Sequence, residues 1–265
     1  MCFNKEIDYT VTDKVAIITL NRPEHRNAFT DSMIIRWVEI LRELRNDPEV
    51  NVIVLTGAGD QAFCSGGDLH TLTESLHREA LDRKHELWEH IHQVAFEMDR
   101  MDKPTIAAIN GVAVGAGLDM ALLCDLRFMA ESSRVSEGYV KIGLVPGDGG
   151  AYLLPRVIGT SKALEMLWTG DFYSAKECFD MGLVNRVYPQ DMLMDETLNF
   201  AKKLANGPTA AIRMIKRAVY QSERLDLRTA LDLISSHFAI IRATEDHREG
   251  ISAMLQKRKP NFTGK

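Results

Sequence analysis

Two glycine-rich turns in this sequence could each present a backbone N–H group to a single oxygen atom. The first, A-F-C-S-G-G-D-L at residues 62–69, follows the apolar run Val52–Gly57. The second, N-G-V-A-V-G-A-G at residues 110–117, follows Thr105–Ile109 and precedes a helix predicted to begin at Leu118. Unpaired main-chain N–H groups that converge in this way stabilise a carbonyl oxygen as it gains negative charge. The pair therefore predicts an oxyanion hole, although each turn alone is more typical of an ordinary tight turn in which glycine supplies a positive φ.

Apolar and β-branched runs predict the strands that must position these turns. The predicted strands are Val15–Leu20, Val52–Gly57, Thr105–Ile109 and Leu126–Ala130. Because helical stretches lie between them, the pattern indicates a layered α/β core. From about residue 188 the pattern is helical only, and the helices predicted there span 191–206, 209–222, 226–244 and 246–257. We therefore divide the chain into a core at 1–190 and a helical C-terminal region at 191–265, without predicting two independently folding domains.

Composition is that of an ordinary globular chain and argues against several classes of function. With 265 residues, 45% of them hydrophobic and 26% charged, the chain can bury a large core. A net charge of −5 argues against a nucleic-acid or anionic-membrane surface, so an anionic ligand must meet local basic residues. No segment is typical of a signal peptide or of a membrane span of about 20 apolar residues. The four cysteines lack C-x-x-C or metal spacing, which predicts reduced thiols in a cytoplasmic protein.

Three further features are assigned ordinary structural roles. Cys64 lies within a glycine turn, but no histidine is placed by sequence to activate it, which predicts a small packed side chain. The histidines of the charged stretch 74–100 have no tetrahedral spacing and predict solvated helix faces without a metal site. These histidines are His77, His85, His90 and His92. Asp125 is predicted to be structural, pairing with Arg127 or with a backbone N–H group.

Five motifs in series resemble those of the crotonase superfamily, which includes enoyl-CoA hydratases and isomerases. They are N-R-P-E-H-R-N-A at 21–28, A-F-C-S-G-G-D-L at 62–69, N-G-V-A-V-G-A-G-L-D-M-A-L-L-C-D at 110–125, G-L-V-P-G-D-G-G at 143–150 and K-R-K-P-N-F at 257–262. The resemblance implies an α/β crotonase (ClpP-like) fold, a spiral of ββα units with a helical C-terminal region. It also implies a homotrimer or homohexamer that binds an acyl-CoA thioester and needs no cofactor besides the CoA of its substrate.

The resemblance assigns binding roles to residues in the first, second, third and fifth motifs. The oxyanion donors correspond to the N–H groups of Gly67 and Ala116, and alanine is tolerable there because the donor is a backbone group. The carbonyl of Ser65 corresponds to the group that meets the adenine of CoA. Further substrate or CoA contacts are assigned to Arg26, Gly66, Asp68, His70, Gly115 and Lys257. For Arg26 and Lys257, each taken alone, a solvated surface charge is an equally good interpretation.

Family hydratases use two glutamates, and this sequence departs from both. The first position corresponds to Asp119, a carboxylate shorter by one methylene, and the second to Tyr139. A phenol with an ordinary pKa near ~10 can donate a hydrogen bond but is a poor base at neutral pH. The two-glutamate addition of water therefore does not transfer intact to this chain.

Two nearby acids could take over the missing role. Asp148 lies in a glycine loop where relatives with isomerase or carbon–carbon hydrolase chemistry place an acid, and its run P-G-D-G resembles 6-oxocamphor hydrolase. A turn former is the competing interpretation of Asp148. Glu137 lies two residues before Tyr139 and on the same strand face if the segment is extended. For Glu137 we favour a structural partnership with Arg134 or Lys141.

These assignments predict an acyl-CoA enzyme that hydrates a 2-enoyl-CoA. The thioester carbonyl would accept hydrogen bonds from Gly67 and Ala116. Asp119 and Asp148, with Tyr139 beside them, would move protons or orient water. Double-bond isomerisation is the second hypothesis, since it needs a single well-placed base. The sequence is also compatible with a CoA-independent hydrolase of β-diketones and with a catalytically idle binding member of the fold.

Overall fold

The strands predicted from apolar runs form with the predicted bounds, and six further strands accompany them in the described part of the chain. The computed structural model describes residues 5–68, 73 and 77–265. The strands are β1 (Ile7–Thr12), β2 (Val15–Leu20), β3 (Val52–Gly57), β4 (Ala62–Cys64), β5 (Thr105–Ile109), β6 (Val112–Val114), β7 (Leu126–Ala130), β8 (Arg134–Ser136), β9 (Tyr173–Ser174) and β10 (Arg186–Tyr188). β4, β6 and β8 have three residues each, which is too short for an alternating pattern to stand out in the sequence.

Helices connect the strands and then continue alone to the C-terminus. The α-helices of the described residues are α1 (Asp31–Asn46), α2 (Ala80–Glu86), α3 (His92–Asp99), α4 (Ala116–Leu122), α5 (Gly150–Ile158), α6 (Thr160–Thr169), α7 (Ala175–Asp180), α8 (Leu193–Ala205), α9 (Thr209–Ser222), α10 (Leu227–Arg242) and α11 (Glu245–Leu255). A π-helical segment, Leu87–Ile91, joins α2 to α3, and 3₁₀ turns span Pro23–His25 and Gly138–Ile142. No described helix is long and apolar enough to cross a membrane.

The strands form two sheets, and the chain alternates between them. The larger sheet has the order β1-β2-β3-β5-β7-β10, and the smaller has the order β4-β6-β8-β9. From β2 to β10 the larger sheet is parallel, and only β1 pairs antiparallel. Each of the pairs β3–β4, β5–β6 and β7–β8 contributes one strand to each sheet. This repetition, followed by helices, matches the ββα spiral that the resemblance implies.

Both faces of the larger sheet are covered, which explains its continuous apolar strands. In β3 every residue is buried. Ile53 and Leu55 belong to the main core, whereas Val52 and Val54 belong to a second cluster on the opposite face. Helix α8 covers that second face through residues of its apolar stripe, Leu193, Ala201 and Ala205. A strand buried on both sides lacks polar alternation, as expected of a parallel sheet between helical layers.

The C-terminal helices form close to their predicted bounds because capping residues begin two of them. Asp226 accepts hydrogen bonds from the backbone of the first turn of α10, and Thr244 accepts one from that of α11. Helix α9 has the predicted bounds, and α8, α10 and α11 differ from theirs by one or two residues at each end. The predicted division at residue 190 stays a prediction, since α8 already packs on the larger sheet.

Asp125 ties α9 to the core and confirms its predicted structural role. It accepts a hydrogen bond from the backbone N–H of Thr105 at 2.7 Å. Its cationic partner is Lys216 of α9 at 2.8 Å, and the Tyr220 hydroxyl donates to it at 2.9 Å. The suggested Arg127 partnership is therefore wrong: the Arg127 side chain donates instead to backbone carbonyls.

Candidate active site

The two glycine turns lie side by side because the short strands that precede them are neighbours. β4 and β6 pair in parallel, so both turns emerge at the same edge of the smaller sheet. The approach is close: a Cβ placed on Gly66 would lie 3.5 Å from the backbone nitrogen of Ala116. A Cβ placed on Gly117 would overlap the carbonyl oxygen of Cys64. Glycine is therefore required at position 117 for the two turns to meet.

The backbone N–H of Gly67 takes no part in strand pairing. Phe29 and Gly67 form an isolated parallel bridge. In it the N–H of Phe29 donates to the carbonyl of Gly66 at 3.0 Å, and the N–H of Asp68 donates to Phe29 at 3.2 Å. Because a parallel bridge uses the groups on either side of its central residue, the N–H of Gly67 is directed away from Phe29. Within the described ranges this N–H has no hydrogen-bond acceptor.

Ala116 supplies the corresponding N–H from the second turn. It is the first residue of α4, where a backbone N–H cannot find an acceptor inside the helix. Gly115 has a φ of 51°, which lets the chain reverse from β6 into α4, and it donates its own N–H to Ser136 at 2.8 Å. The structure thus brings the two predicted donor positions together at one sheet edge.

Helix α4 lies wholly in the interior and carries Asp119 in its first turn. All seven residues of the helix are buried, and Asp119 is 0% exposed. Its Oδ2 accepts a hydrogen bond from the hydroxyl of Tyr139 at 2.7 Å. Tyr139 lies in the 3₁₀ turn after β8, which pairs with β6. The strand order of the smaller sheet therefore brings the two predicted catalytic positions into contact.

Tyr139 also joins Asp119 to Asp148. The Tyr139 hydroxyl lies 2.8 Å from Oδ2 of Asp148, which is buried at 6% exposure in the loop before α5. A phenol has a single hydrogen and can donate it to one carboxylate at a time. The second short contact therefore requires a hydrogen from the other carboxyl group. This geometry accommodates one carboxylate and one carboxylic acid on either side of one hydroxyl.

Burial favours the neutral forms of Asp119, Tyr139 and Asp148, the three residues of the acid cluster. It raises the pKa of Asp119 to about 7, against the hydrogen bond from Tyr139, which favours the charged form. Burial likewise raises the pKa of Asp148, and the Tyr139 hydrogen bond opposes that shift. The pKa of Tyr139 is raised by burial and by the two nearby carboxylates, so the phenol stays protonated. A pair of acids with raised pKa values can exchange protons near neutral pH.

The structure corrects the role that we favoured for Glu137. Its side chain is buried at 1% exposure, and neither Arg134 nor Lys141 pairs with it in the described chain. Lys141 instead pairs with Asp171, and Glu137 turns inward to within hydrogen-bonding reach of Asp119. Sequence proximity to two cations suggested the wrong partner. The structure thus places Glu137 beside Asp119 as a third buried acid.

One histidine departs from its predicted solvated position and was missed as a site residue. His77, His85 and His90 are exposed as predicted, but His92 is partly buried. Its Nε2 lies 2.7 Å from the carbonyl oxygen of Gly147, next to Asp148. No local sequence signal links α3 to a loop 55 residues away. Among the described residues no group of three His, Cys, Asp or Glu side chains is placed to hold a metal ion.

Cys64 is a packed thiol, as predicted. It is fully buried, and burial raises the pKa of its thiol to about 12. A nucleophilic cysteine needs a lowered pKa and access to substrate, and Cys64 has neither.

Three of the residues assigned to CoA, Arg26, Ser65 and Asp68, lie around the first glycine turn. Ser65 is partly exposed and donates its N–H to the carbonyl of exposed Arg26 at 3.0 Å, so these two lie together near Gly67. Asp68 is buried, and its carboxylate accepts a hydrogen bond from Arg22 at 3.0 Å, which fixes the turn. His70 lies outside the described residues.

Lys257 is remote from this group in the chain and lies beyond α11. It is exposed, with a φ of 53°, at the start of a segment that returns along α11. Arg258 holds that segment through a bidentate pair with Glu249. Within the described chain no hydrogen bond joins Lys257 to either glycine turn.

Comparisons with known proteins agree with this architecture. The family model for enoyl-CoA hydratase/isomerase matches residues 10–265. A 2,3-dehydroadipyl-CoA hydratase of Escherichia coli is 36% identical over 95% of this chain and 96% of its own. A 1,2-epoxyphenylacetyl-CoA isomerase of the same organism is also 36% identical, over 95% of both chains. The crystal structure of an enoyl-CoA hydratase from Bacillus anthracis superposes with a TM-score of 0.92 at 32% identity, covering 98% of this chain and 100% of that chain.

Proposed function

The chain belongs to the enoyl-CoA hydratase/isomerase family, and on that premise we propose that it adds water to a 2-enoyl-CoA. The observation that carries this proposal is that Gly67 and Ala116, whose N–H groups have no acceptor among the described residues, lie on neighbouring turns, and that the helix begun by Ala116 carries Asp119 of a buried acid pair. The relatives named as hydratases support the same reaction. The N–H pair would form the oxyanion hole, and the acid pair would move the protons.

Addition of water needs one base and one acid, and the cluster supplies both. The carboxylate form of one aspartate takes a proton as the water oxygen bonds to the β-carbon. Electrons of the double bond move to the thioester oxygen, where Gly67 and Ala116 stabilise the enolate. The other aspartate, as the carboxylic acid, then protonates the α-carbon. After turnover Asp119 and Asp148 have exchanged roles, and a proton shift through the Tyr139 hydroxyl restores them.

A panel of substrates separates hydration from isomerisation, diketone hydrolysis and binding alone. We expect 2-enoyl-CoAs to lose the absorbance of the conjugated thioester as 3-hydroxyacyl-CoA forms. A 3-enoyl-CoA whose conjugated absorbance rises without water uptake would instead favour double-bond isomerisation. If the protein turns over a CoA-free β-diketone but none of the thioesters, it is a β-diketone hydrolase and the proposed hydration is wrong. A folded protein inactive on the whole panel would favour the binding member.

We propose that CoA itself binds, with Ser65 meeting the adenine and Arg26 and Lys257 meeting the phosphates. Because the chain carries a net charge of −5, the anionic ligand depends on such local cations. We expect calorimetry with acetyl-CoA to show binding that weakens with salt and in Lys257→Ala. The matched control is Lys259→Ala, another exposed lysine two residues away, which should leave the affinity unchanged. Absence of binding at millimolar acetyl-CoA would contradict the CoA assignment.

We also propose a homotrimer or homohexamer. The support is a set of large apolar side chains that the single chain leaves mostly exposed. The set includes Val145, Trp168, Leu227, Met254 and Leu255. Monomeric proteins rarely expose so many large apolar groups, which are typical of subunit contacts. Sedimentation analysis is expected to give three or six chains, and a stable monomer at micromolar concentration would contradict this.

We further propose a cytoplasmic location and a reaction without a cofactor beyond the CoA of its substrate. Three buried cysteines, Cys64, Cys124 and Cys178, are unpaired, which suits a reducing compartment.

Proton transfer between carboxyl groups needs no redox group or electron sink, which supports a reaction without a cofactor. Recovery in a membrane or secreted fraction would contradict the location, and loss of activity on dialysis against a chelator would contradict the cofactor-free reaction.

A further inference from the structure

We propose that Glu137 is a positioning residue that stays protonated and donates its carboxyl hydrogen to Asp119, fixing Asp119 beneath Tyr139. The effect of Glu137 on the pH dependence of kcat/KM rests on the proposed function. The protonation of Glu137 itself can be measured without substrate. Glu137 has no counterpart in the two-carboxylate mechanism above. It would act through Asp119 and would not touch the reacting atoms.

The Glu137 and Asp119 carboxyls lie close together beside Gly150. Both lie around Gly150: a Cβ there would overlap Oδ1 of Asp119 and lie 3.1 and 3.2 Å from the two Glu137 oxygens. The two carboxyls are within hydrogen-bonding reach of each other. Gly150 is therefore required because a larger residue would separate them.

The Glu137 carboxyl is buried without a hydrogen-bond donor. Both of its oxygens are fully buried, and neither has a donor among the described side chains and backbone. Two ionised carboxylates so placed would repel each other away from water. A proton between them converts that repulsion into a hydrogen bond. The contact thus requires one of the pair to be an acid.

The surrounding groups place that proton on Glu137. Asp119 accepts the hydrogen bond of Tyr139, which favours its charged form, and Glu137 has no such donor. Burial and then the negative charge of Asp119 raise the pKa of Glu137 to about 10. Asp148, when ionised, adds further repulsion, and the described histidine in this region, His92, acts on Asp148. Among the described residues, the ionisable groups that act on Glu137 are thus the acids Asp119 and Asp148, which favour its neutral form.

A neutral carboxyl group that donates a hydrogen bond to Asp119 would lower the pKa of Asp119 and so keep it ionised at neutral pH. A hydrogen bond to the charged form lowers the pKa of a carboxyl group. Without it, Asp119 would ionise at a higher pH. The same bond orients Asp119 so that Oδ2 faces the Tyr139 hydroxyl.

The kinetic test compares two neutral replacements of similar length. Glu137→Gln keeps a donor, through its amide, and Glu137→Met removes it. We expect the acid limb of the kcat/KM profile to stay in place in Glu137→Gln and to move up by about one pH unit in Glu137→Met. At pH 7 that shift lowers kcat/KM about fivefold in Glu137→Met. Thermal denaturation of both variants checks that they fold.

Two kinetic outcomes would overturn the inference. If Glu137→Gln moves the acid limb to lower pH, the native side chain carries a negative charge that raises the pKa of Asp119. If Glu137→Met, while folded, leaves the limb in place, the side chain has a packing role alone.

A substrate-free measurement separates this inference from the proposed function. Carbon-13 NMR of protein labelled at glutamate carboxyls should show one protonated resonance at pH 7 that is missing in Glu137→Gln. We expect it to titrate only in the alkaline range. A resonance already ionised at pH 7 would overturn the inference even in an active hydratase. A protonated resonance in a protein without hydratase activity would overturn the proposed function and leave the proton assignment intact.

Discussion

Replacing Gly67 with proline is expected to lower kcat by about 10²–10³-fold, the usual loss for one oxyanion donor. Proline has no N–H, so the enolate oxygen would keep the Ala116 donor alone. The substitution removes no hydrogen bond of the neighbouring strand bridge, because that bridge uses the carbonyl of Gly66 and the N–H of Asp68. Steady-state rates with a 2-enoyl-CoA measure the loss. Circular dichroism and gel filtration check the fold.

The matched control is Gly67→Ala, which adds a methyl group and keeps the N–H. Among the described residues, a Cβ at this position would meet the Phe29 ring alone, at an ordinary contact distance of 3.9 Å. We therefore expect Gly67→Ala to retain most of its activity. Full activity in a folded Gly67→Pro variant would show that the oxyanion donor is another group.

Sequence patterns predicted the large elements of this fold because those elements are defined by local burial. The run Val52–Gly57 is apolar throughout since helices cover both of its faces. The bounds of α10 and α11 follow from Asp226 and Thr244, whose side chains cap the first turns. The three-residue strand Ala62–Cys64 gave no such pattern. Its extended form depends on pairing with β6, which is a contact between distant segments.

The site residues likewise differ in how far they can be predicted: some depend on neighbouring residues in sequence and others on contacts between distant segments. Glycine spacing and the family motifs pointed to Gly67 and Ala116 as oxyanion donors, a role that stays a prediction, and the structure shows that the two turns are neighbours. Glu137 was given a cationic partner nearby in sequence, whereas its actual neighbour is Asp119 on another strand–helix unit. His92 reaches the Asp148 loop from α3, and only the folded chain shows that contact. Buried partners of this kind are set by tertiary packing and leave no local signal.

Asp119→Asn and Asp148→Asn are each expected to lower kcat by at least ~10²-fold, the usual scale for a positioned acid or base. Asparagine keeps the shape of the side chain but can neither release nor accept the shared proton. The loss should arise in either variant because the carboxylate and the carboxylic acid act together. For the same reason the double variant should lose much less than the product of the single losses. Steady-state kcat with a 2-enoyl-CoA is the measurement.

Tyr139→Phe is the informative comparison, since it removes the bridging hydroxyl and keeps both carboxyl groups. We expect a milder loss than in either asparagine variant, because solvent water can return the proton between turnovers. Asp171→Asn, an exposed aspartate paired with Lys141, controls for the substitution itself and should be neutral. Full activity in Asp148→Asn would make Asp148 a turn former and favour a one-base isomerisation through Asp119. If Tyr139→Phe is instead the least active variant, the phenol takes part directly, and the assignment of the proton transfers to the two aspartates is wrong.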